Sequence, residues 1–210
     1  MGSVITIAKN KALLTTEETI IKAKKGDKAA MDRLVSQSYQ KIYNVNYRYL
    51  TDYDKAMDAT QRTFILMFRK IKNLTDHQKF NSWLYQIAIN CCREESRREK
   101  RSKVLPFMKV SHNKVERLEN NAFDNVYQPD AEYGKSETQQ LVLRALNEIN
   151  PEQKEVLILK EFEGLKFKEI AEMLGISENT VKSRLYYGLS ALKKIFDKWN
   201  IDKESISYGI

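Results

Sequence analysis

Gly164-Leu-Lys-Phe-Lys-Glu-Ile-Ala-Glu-Met-Leu-Gly-Ile-Ser-Glu-Asn-Thr-Val-Lys-Ser-Arg-Leu-Tyr-Tyr-Gly-Leu189 reads as helix, tight turn, helix. The first helix carries Phe167, Ile170, Ala171 and Leu174 on one face. Gly175 supplies the left-handed backbone position that ends it. Ser177 is placed as an N-cap, its hydroxyl within reach of the Thr180 amide. Val181, Leu185 and Leu189 recur every four residues and are expected to point into a core. Lys182, Ser183, Arg184, Tyr186 and Tyr187 are then left on or near the outer face. A helix-turn-helix presents a reading helix to the DNA major groove in this way.

Upstream, Asn150-Pro151 combines a capping side chain with proline at the first helical position. A helix is expected over Pro151–Glu163, with Val156, Leu157 and Leu159 inward and Gly164 closing it. Leu141, Leu143, Leu146 and Ile149 point to another helix beginning near Ser136. Downstream, Leu192, Ile195 and Phe196 extend the last helix.

The N-terminal half is also helical in period. A short helix is expected over Glu17–Lys25, broken at Gly26-Asp27, and a second from Lys28 toward Leu50. Thr51-Asp52 offers caps for a third, Tyr53–Ile71. A polar break, Lys72–Lys79, precedes a fourth helix from about Phe80 to Arg101, with Phe80, Trp83, Leu84, Ile87, Ala88 and Cys91 on one stripe. Residues 103–136 hold two of the three prolines, five basic and five acidic groups, and no sustained period. They read as a flexible linker. No β pattern is present. The fold class is therefore all-α: two small helical domains on a tether.

Composition narrows the function. The chain has 210 residues, 42% of them apolar and 30% charged, as in soluble globular proteins. No apolar run of about 18 residues suggests a membrane span, and Met1–Lys11 lacks the apolar core of a secretory signal. Cys91 and Cys92 are adjacent, with no metal-ligand spacing, and read as reduced helix residues. No metal site, cofactor site or catalytic constellation is expected, and there is no Gly-x4-Gly-Lys phosphate loop. A cytoplasmic location follows. The net charge is +8, unevenly spread. Residues 93–103 hold six basic and three acidic groups; 150–176 carry a net −2 and 177–198 a net +3. Positive charge on the reading helix suits phosphate contact, although a solvated lysine face would look the same.

The helix-turn-helix alone also resembles the output domain of response regulators. The N-terminal half decides. Asp58-Ala-Thr-Gln61-Arg-Thr-Phe64, Phe68-Arg-Lys, Phe80-Asn-Ser-Trp83-Leu-Tyr-Gln-Ile-Ala-Ile-Asn90 and Arg97-Arg-Glu-Lys-Arg101 resemble region 2 of bacterial RNA polymerase sigma factors, and Pro151–Phe196 resembles region 4. With no recognisable region 3 between them, the chain is similar to the extracytoplasmic-function subgroup. The resemblance implies an N-terminal extension with a short helix over 1–28, a region 2-like bundle over 29–102, the linker over 103–136, a region 4-like helix-turn-helix over 137–199 and a tail over 200–210.

It also implies partners and roles. Asp54, Asp58, Gln61, Arg62 and Phe64 would dock on the clamp helices of core RNA polymerase, with the polymerase flap as a further contact. On promoter DNA, the minus-10 element would meet Asn73, His77, Gln78, Lys79, Trp83, Asn90, Arg93, Arg97 and Arg101. In the family a loop at the 75–79 position captures a flipped base, and aromatic and amide groups there offer stacking and edge hydrogen bonds. Phe80 and Trp83 serve either this purpose or the core. Asn90, Arg93, Arg97 and Arg101 share one helical face, a row able to follow a phosphate backbone. The minus-35 element would meet Ser177, Asn179, Thr180, Lys182, Ser183, Arg184, Tyr186 and Tyr187. Tyr187 stands where many relatives are basic, and Tyr186-Tyr187 serves either DNA or packing. An anti-sigma protein is a further expected partner, as is the absence of any membrane insertion. The alternative is a polymerase-independent helix-turn-helix regulator with an N-terminal sensor or dimerisation domain.

Overall fold

The computed structural model describes residues 17–104 and 137–201, with side chains described up to 101 in the first segment. Every regular element among them is helical. Residues 1–16 of the expected N-terminal extension, the expected linker from 105 on and most of the tail lie outside the described residues; 103 and 104 belong to the fourth helix.

The first unit contains α1 (17–24), α2 (Lys28–Leu50), α3 (Tyr53–Lys70) and α4 (Phe80–Val104). α2 and α3 start where the sequence offers a cap. Asp27 accepts from the Ala30 amide at 2.9 Å to start α2, and Asp52 accepts from the Lys55 amide at 3.0 Å to start α3. α2 buries Ala30, Met31, Leu34, Val35, Ile42, Val45 and Tyr49, an i, i+3, i+4 series that packs on both α3 and α4. Ile20 and Ala23 of α1 are buried on the same core. Two short 3-10 turns, Ile71–Asn73 and His77–Lys79, join α3 to α4.

The second unit contains α5 (Glu137–Glu148), α6 (Pro151–Leu157), α7 (Phe167–Leu174) and α8 (Glu178–Lys198). Asn150 caps α6 through the Glu152 amide at 2.9 Å. The single helix expected over Pro151–Glu163 is α6 followed by a wide π turn, Ile158–Phe162. Gly164, at φ 68°, redirects the chain, and Glu169 accepts from the Lys166 amide at 2.7 Å to start α7. Gly175 (φ 67°) ends α7, with its amide and that of Ile176 both bonded to Ala171 O. Ser177 Oγ then accepts from Thr180 N at 3.0 Å.

One expectation about an inward face changes. Leu189 is 45% exposed; the inward face of α8 is Val181, Leu185 and Gly188. At 3.6 residues per turn a strict four-residue step drifts about 40° each time, so the third member of that series rotates out and position 188 takes its place. The two units are also packed together: α7 lies on α4, and α5 and the π turn lie on α2.

Candidate nucleic-acid interface

α3 presents Asp54, Asp58 and Gln61 to solvent on the face away from α2. Arg62 beside them is half-buried, bonded to Glu94 at 2.6 Å and Glu95 at 3.4 Å. Phe64, expected on this docking face, is buried at 4% exposure and stacks on Tyr39, with ring centroids 5.8 Å apart. That expectation is corrected. Phe68, one turn further on, is 65% exposed. Phe64 shares the inward stripe with Thr60, Thr63 and Met67, whereas Phe68 lies beyond its edge.

The 71–79 connection projects Asn73, Gln78 and Lys79 outward and anchors itself through buried Leu74. Asp76 caps its second turn by accepting from the Gln78 amide at 3.0 Å. His77 is half-buried between Lys24 (Nε2 to Nζ, 3.5 Å) and Glu17 (Nδ1 to carboxylate, 3.5 Å). Lys24 also donates to Leu74 O at 2.6 Å. α1 therefore holds the connection in shape, a role the sequence reading did not assign. A lysine two positions before the helix-breaking Gly26 was its available signal. Trp83 is half-buried beside Phe80, with centroids 6.0 Å apart, so one side is packed and the other accessible.

Along α4, Asn90, Arg97 and Arg101 are exposed as expected. Arg93 lies in the same row, but its guanidinium makes a bidentate pair with Glu155 of α6, at 2.7 Å from Nε and 2.5 Å from Nη2. That hydrogen bond raises the Arg93 pKa. Glu155 is buried and also accepts from the Tyr49 hydroxyl at 3.3 Å. Neighbouring Lys154 is buried too, donating to Tyr49 O and Asn147 Oδ1, both at 3.1 Å. Desolvation brings its ammonium down to about 8. Glu163, just after the π turn, receives Arg48 at 3.1 Å and the Tyr85 hydroxyl at 2.6 Å. None of these acids was singled out from sequence, where they read as an ordinary charged helix face.

On α8, Asn179, Lys182, Ser183, Tyr186 and Tyr187 are exposed, and Ser177 and Thr180 mark the helix N-terminus. Tyr186 and Tyr187 meet edge to face at 5.7 Å and remain 71% and 60% exposed, so they are not a core packing pair. Arg184 is half-buried, 2.5 Å from Glu152. Lys182 Nζ and Lys160 Nζ flank the Phe167 ring at 5.8 and 4.8 Å from its centroid. The reading helix thus offers a cationic, amide-bearing and aromatic face on a helix whose opposite face is fixed in the core.

Cys91 and Cys92 are buried free thiols, both pushed above the usual thiol range by burial. No group of three or more potential metal ligands exists among the described residues.

Fold and exposed helix faces define a two-unit helical protein built for DNA reading. Comparison with known proteins agrees. Residues 34–102 match the family described as Sigma-70 region 2, and residues 139–192 match Sigma-70, region 4, together more than half of the chain. The RNA polymerase sigma-H factor of Pseudomonas aeruginosa is 28% identical over 179 residues, 85% of this chain and 92% of that protein. The ECF RNA polymerase sigma factor SigW of Bacillus subtilis is 29% identical over 178 residues, 85% and 95% of the two chains. Among solved structures, CnrH in complex with the cytosolic domain of CnrY has a TM-score of 0.61 at 18% identity, covering 87% of this chain and 97% of that one. RpoE in complex with the anti-sigma factor NepR from Bartonella quintana gives 0.58 at 20%, covering 79% and 96%; both likenesses concern the fold. The chain belongs to the sigma-70 family of RNA polymerase sigma factors, in its extracytoplasmic-function group. It is a transcription initiation factor and not an enzyme.

Proposed function

We propose that this sigma factor divides its work between its two units. The 29–102 unit binds core polymerase through the outer face of α3 and takes the minus-10 element on the 71–79 connection and the exposed row of α4. The 137–199 unit takes the minus-35 element on α8. The observation that carries this division is the orientation of each basic helix: one face is locked in its own unit's core while Asn90, Arg97 and Arg101 on α4, and Lys182, Ser183 and Tyr187 on α8, face solvent. Unstacking at the minus-10 element is offset by captured bases, at about 1–3 kcal/mol for each aromatic stack. The polymerase does the bond chemistry. A polymerase-independent regulator is not favoured, because matching units for both sigma regions occur in one chain.

The docking face on α3 consists of Asp54, Asp58, Gln61 and the exposed Phe68, with Arg62 at its border. The same mixed acidic and apolar surface suits an anti-sigma protein, since blocking it would silence the factor. Polymerase and promoter place the protein in the cytoplasm; among the described residues no helix is long and apolar enough to cross a membrane.

Asp58→Lys tests the division. It should weaken capture by core polymerase by about tenfold or more, as a reversed charge at a docking surface does, without moving the thermal unfolding midpoint. Unchanged capture would remove α3 from the docking role.

A further inference from the structure

The polar side chains of α1 converge on the 71–79 connection, which the proposed function gives to the minus-10 element. Glu17, Ile20 and Lys24 follow one another at three and four positions, so they share one helical face. Ile20 is fully buried and fixes that face against the core of the first unit. Lys24 Nζ donates to Leu74 O at 2.6 Å and faces His77 Nε2 at 3.5 Å. Glu17 lies 3.5 Å from His77 Nδ1, on the other side of the ring.

These contacts fix the connection at two points. Leu74 closes the first 3-10 turn, its amide bonded to Ile71 O at 3.1 Å and its side chain buried. The backbone is extended at Leu74, so its carbonyl enters no helical ladder, and the Lys24 ammonium supplies a charge-assisted donor instead. His77 opens the second turn. An ammonium only donates, so His77 Nε2 accepts and the ring proton sits on Nδ1, toward Glu17. Both ring nitrogens face protein groups, and the side chain is 20% exposed. The ring therefore offers no free nitrogen to a base edge. Anchored Leu74 and His77 are interleaved with exposed Asn73, Gln78 and Lys79, so what holds the first pair sets where the other three point.

We infer that Lys24 and His77 are positioning residues for promoter opening: α1 braces the connection so that Asn73, Gln78 and Lys79 are already in place around an unstacked base, and His77 does not itself read one. This rests on the sigma-factor reading above. A connection without the brace has to be ordered at the moment the base leaves the stack, and the entropy of that ordering weakens capture. Recruitment to duplex through α8 needs no such brace. Loss of the bridge therefore slows strand opening and leaves arrival at the promoter unchanged.

The test uses holoenzyme made from the full-length chain and sigma-free core polymerase, on a promoter that it transcribes, with 2-aminopurine in the minus-10 element reporting unstacking. Lys24→Met and His77→Phe should each slow the fluorescence rise by about tenfold, within the range that misplacing a positioned group costs. Retention of the same duplex on ice, before opening, should not change. Lys24→Arg keeps the donor and should restore most of the rate. Lys25→Met removes an equal charge from the next residue and should leave the rate intact. The double variant Lys24→Met/His77→Phe should open no more slowly than Lys24→Met alone, because both changes break one bridge. Glu17→Gln probes the bridge from its exposed end without touching the core: it should slow opening in the native chain and add nothing in His77→Phe. Effects that multiply in the double variant would show His77 acting on DNA directly and overturn the inference. Native opening rates in Lys24→Met, or equal slowing by Lys25→Met, would overturn it too. If native holoenzyme opens no promoter at all, the functional reading falls and the inference with it.

Discussion

Gly188 of α8 lies so close to Leu157 of α6 that a β-carbon built at 188 would stand 2.8 Å from Leu157 Cδ1. Leu157 is itself fully buried, so its side chain has little room to move. The angle at which the reading helix leaves the unit depends on this approach. Gly188→Ala gains about 1 kcal/mol of helix propensity and loses a similar amount to the clash. The expected result in urea unfolding is a change within about 1 kcal/mol. Gly188→Val adds bulk without a comparable gain and should cost about 2–3 kcal/mol. If valine is tolerated as well as alanine, the close packing is not as described.

Asn46 is fully buried between α3 and α4, donating to Thr60 Oγ1 at 3.0 Å and accepting from Cys92 Sγ at 3.1 Å. Thr60 keeps its own bond to Ala56 O at 2.7 Å. Asn46→Ala should therefore cost about 2–3 kcal/mol, from lost hydrogen bonds and a small cavity, measured by chemical unfolding. A loss under 0.5 kcal/mol on that order would show the network to be idle.

Lys154 sets a pH dependence. Its pKa falls from 10.5 to about 8 through burial beside Tyr49 and Asn147, which the nearby Cys92 only partly opposes. Between those values the unfolded chain holds a proton that the folded chain has released, so this group's contribution to stability rises with pH across the window. Tyr49, Cys91 and Cys92 have raised values and act in the opposite sense once pH passes their unfolded pKa. Comparing the native chain with Lys154→Met isolates the lysine. The stability of the variant relative to native should fall as pH goes from 8 to 10, by at most about 3 kcal/mol. A flat difference would mean that the ammonium is not desolvated.

Arg97 and Arg101 are exposed on α4, whereas Arg98 pairs with Glu95 at 3.1 Å. If the first two follow a phosphate backbone, each change to alanine should lower the log–log salt slope of promoter binding by holoenzyme by about 0.7 on a single strand or 0.9 on duplex. Arg98→Ala should change it less. Equal slopes for all three would indicate a solvated face.

Sequence periodicity located every α-helix among the described residues because the apolar positions recur at helical spacing and the caps are local. Asp27, Asp52, Asn150, Gly175 and Ser177 each act within a few residues of themselves, and all do so in the structure. Face assignment was less legible. On α3 the inward stripe runs through Thr60 and Thr63, whose hydroxyls are satisfied by the carbonyls of Ala56 and Ala59 at 2.7 Å each. A polar residue paired with its own helix reads from sequence as surface, so the stripe that buries Phe64 and leaves Phe68 exposed was not legible; Phe64 was expected at the docking face from the resemblance alone. The seam between the units was not legible for a different reason. Arg93–Glu155 and Lys79–Glu172 span 62 and 93 positions, and isolated acids carry no local sign of a distant partner.

Reconstitution tests the central claim most directly. Purified chain is added to core polymerase stripped of sigma factors, genomic DNA is transcribed, and RNA 5′ ends are mapped. The two-unit initiation account predicts discrete start sites that share two upstream sequence blocks at a fixed spacing and vanish without the chain. Start sites indistinguishable from those of core polymerase alone, or tight sequence-specific binding by the chain with no polymerase present, would contradict it.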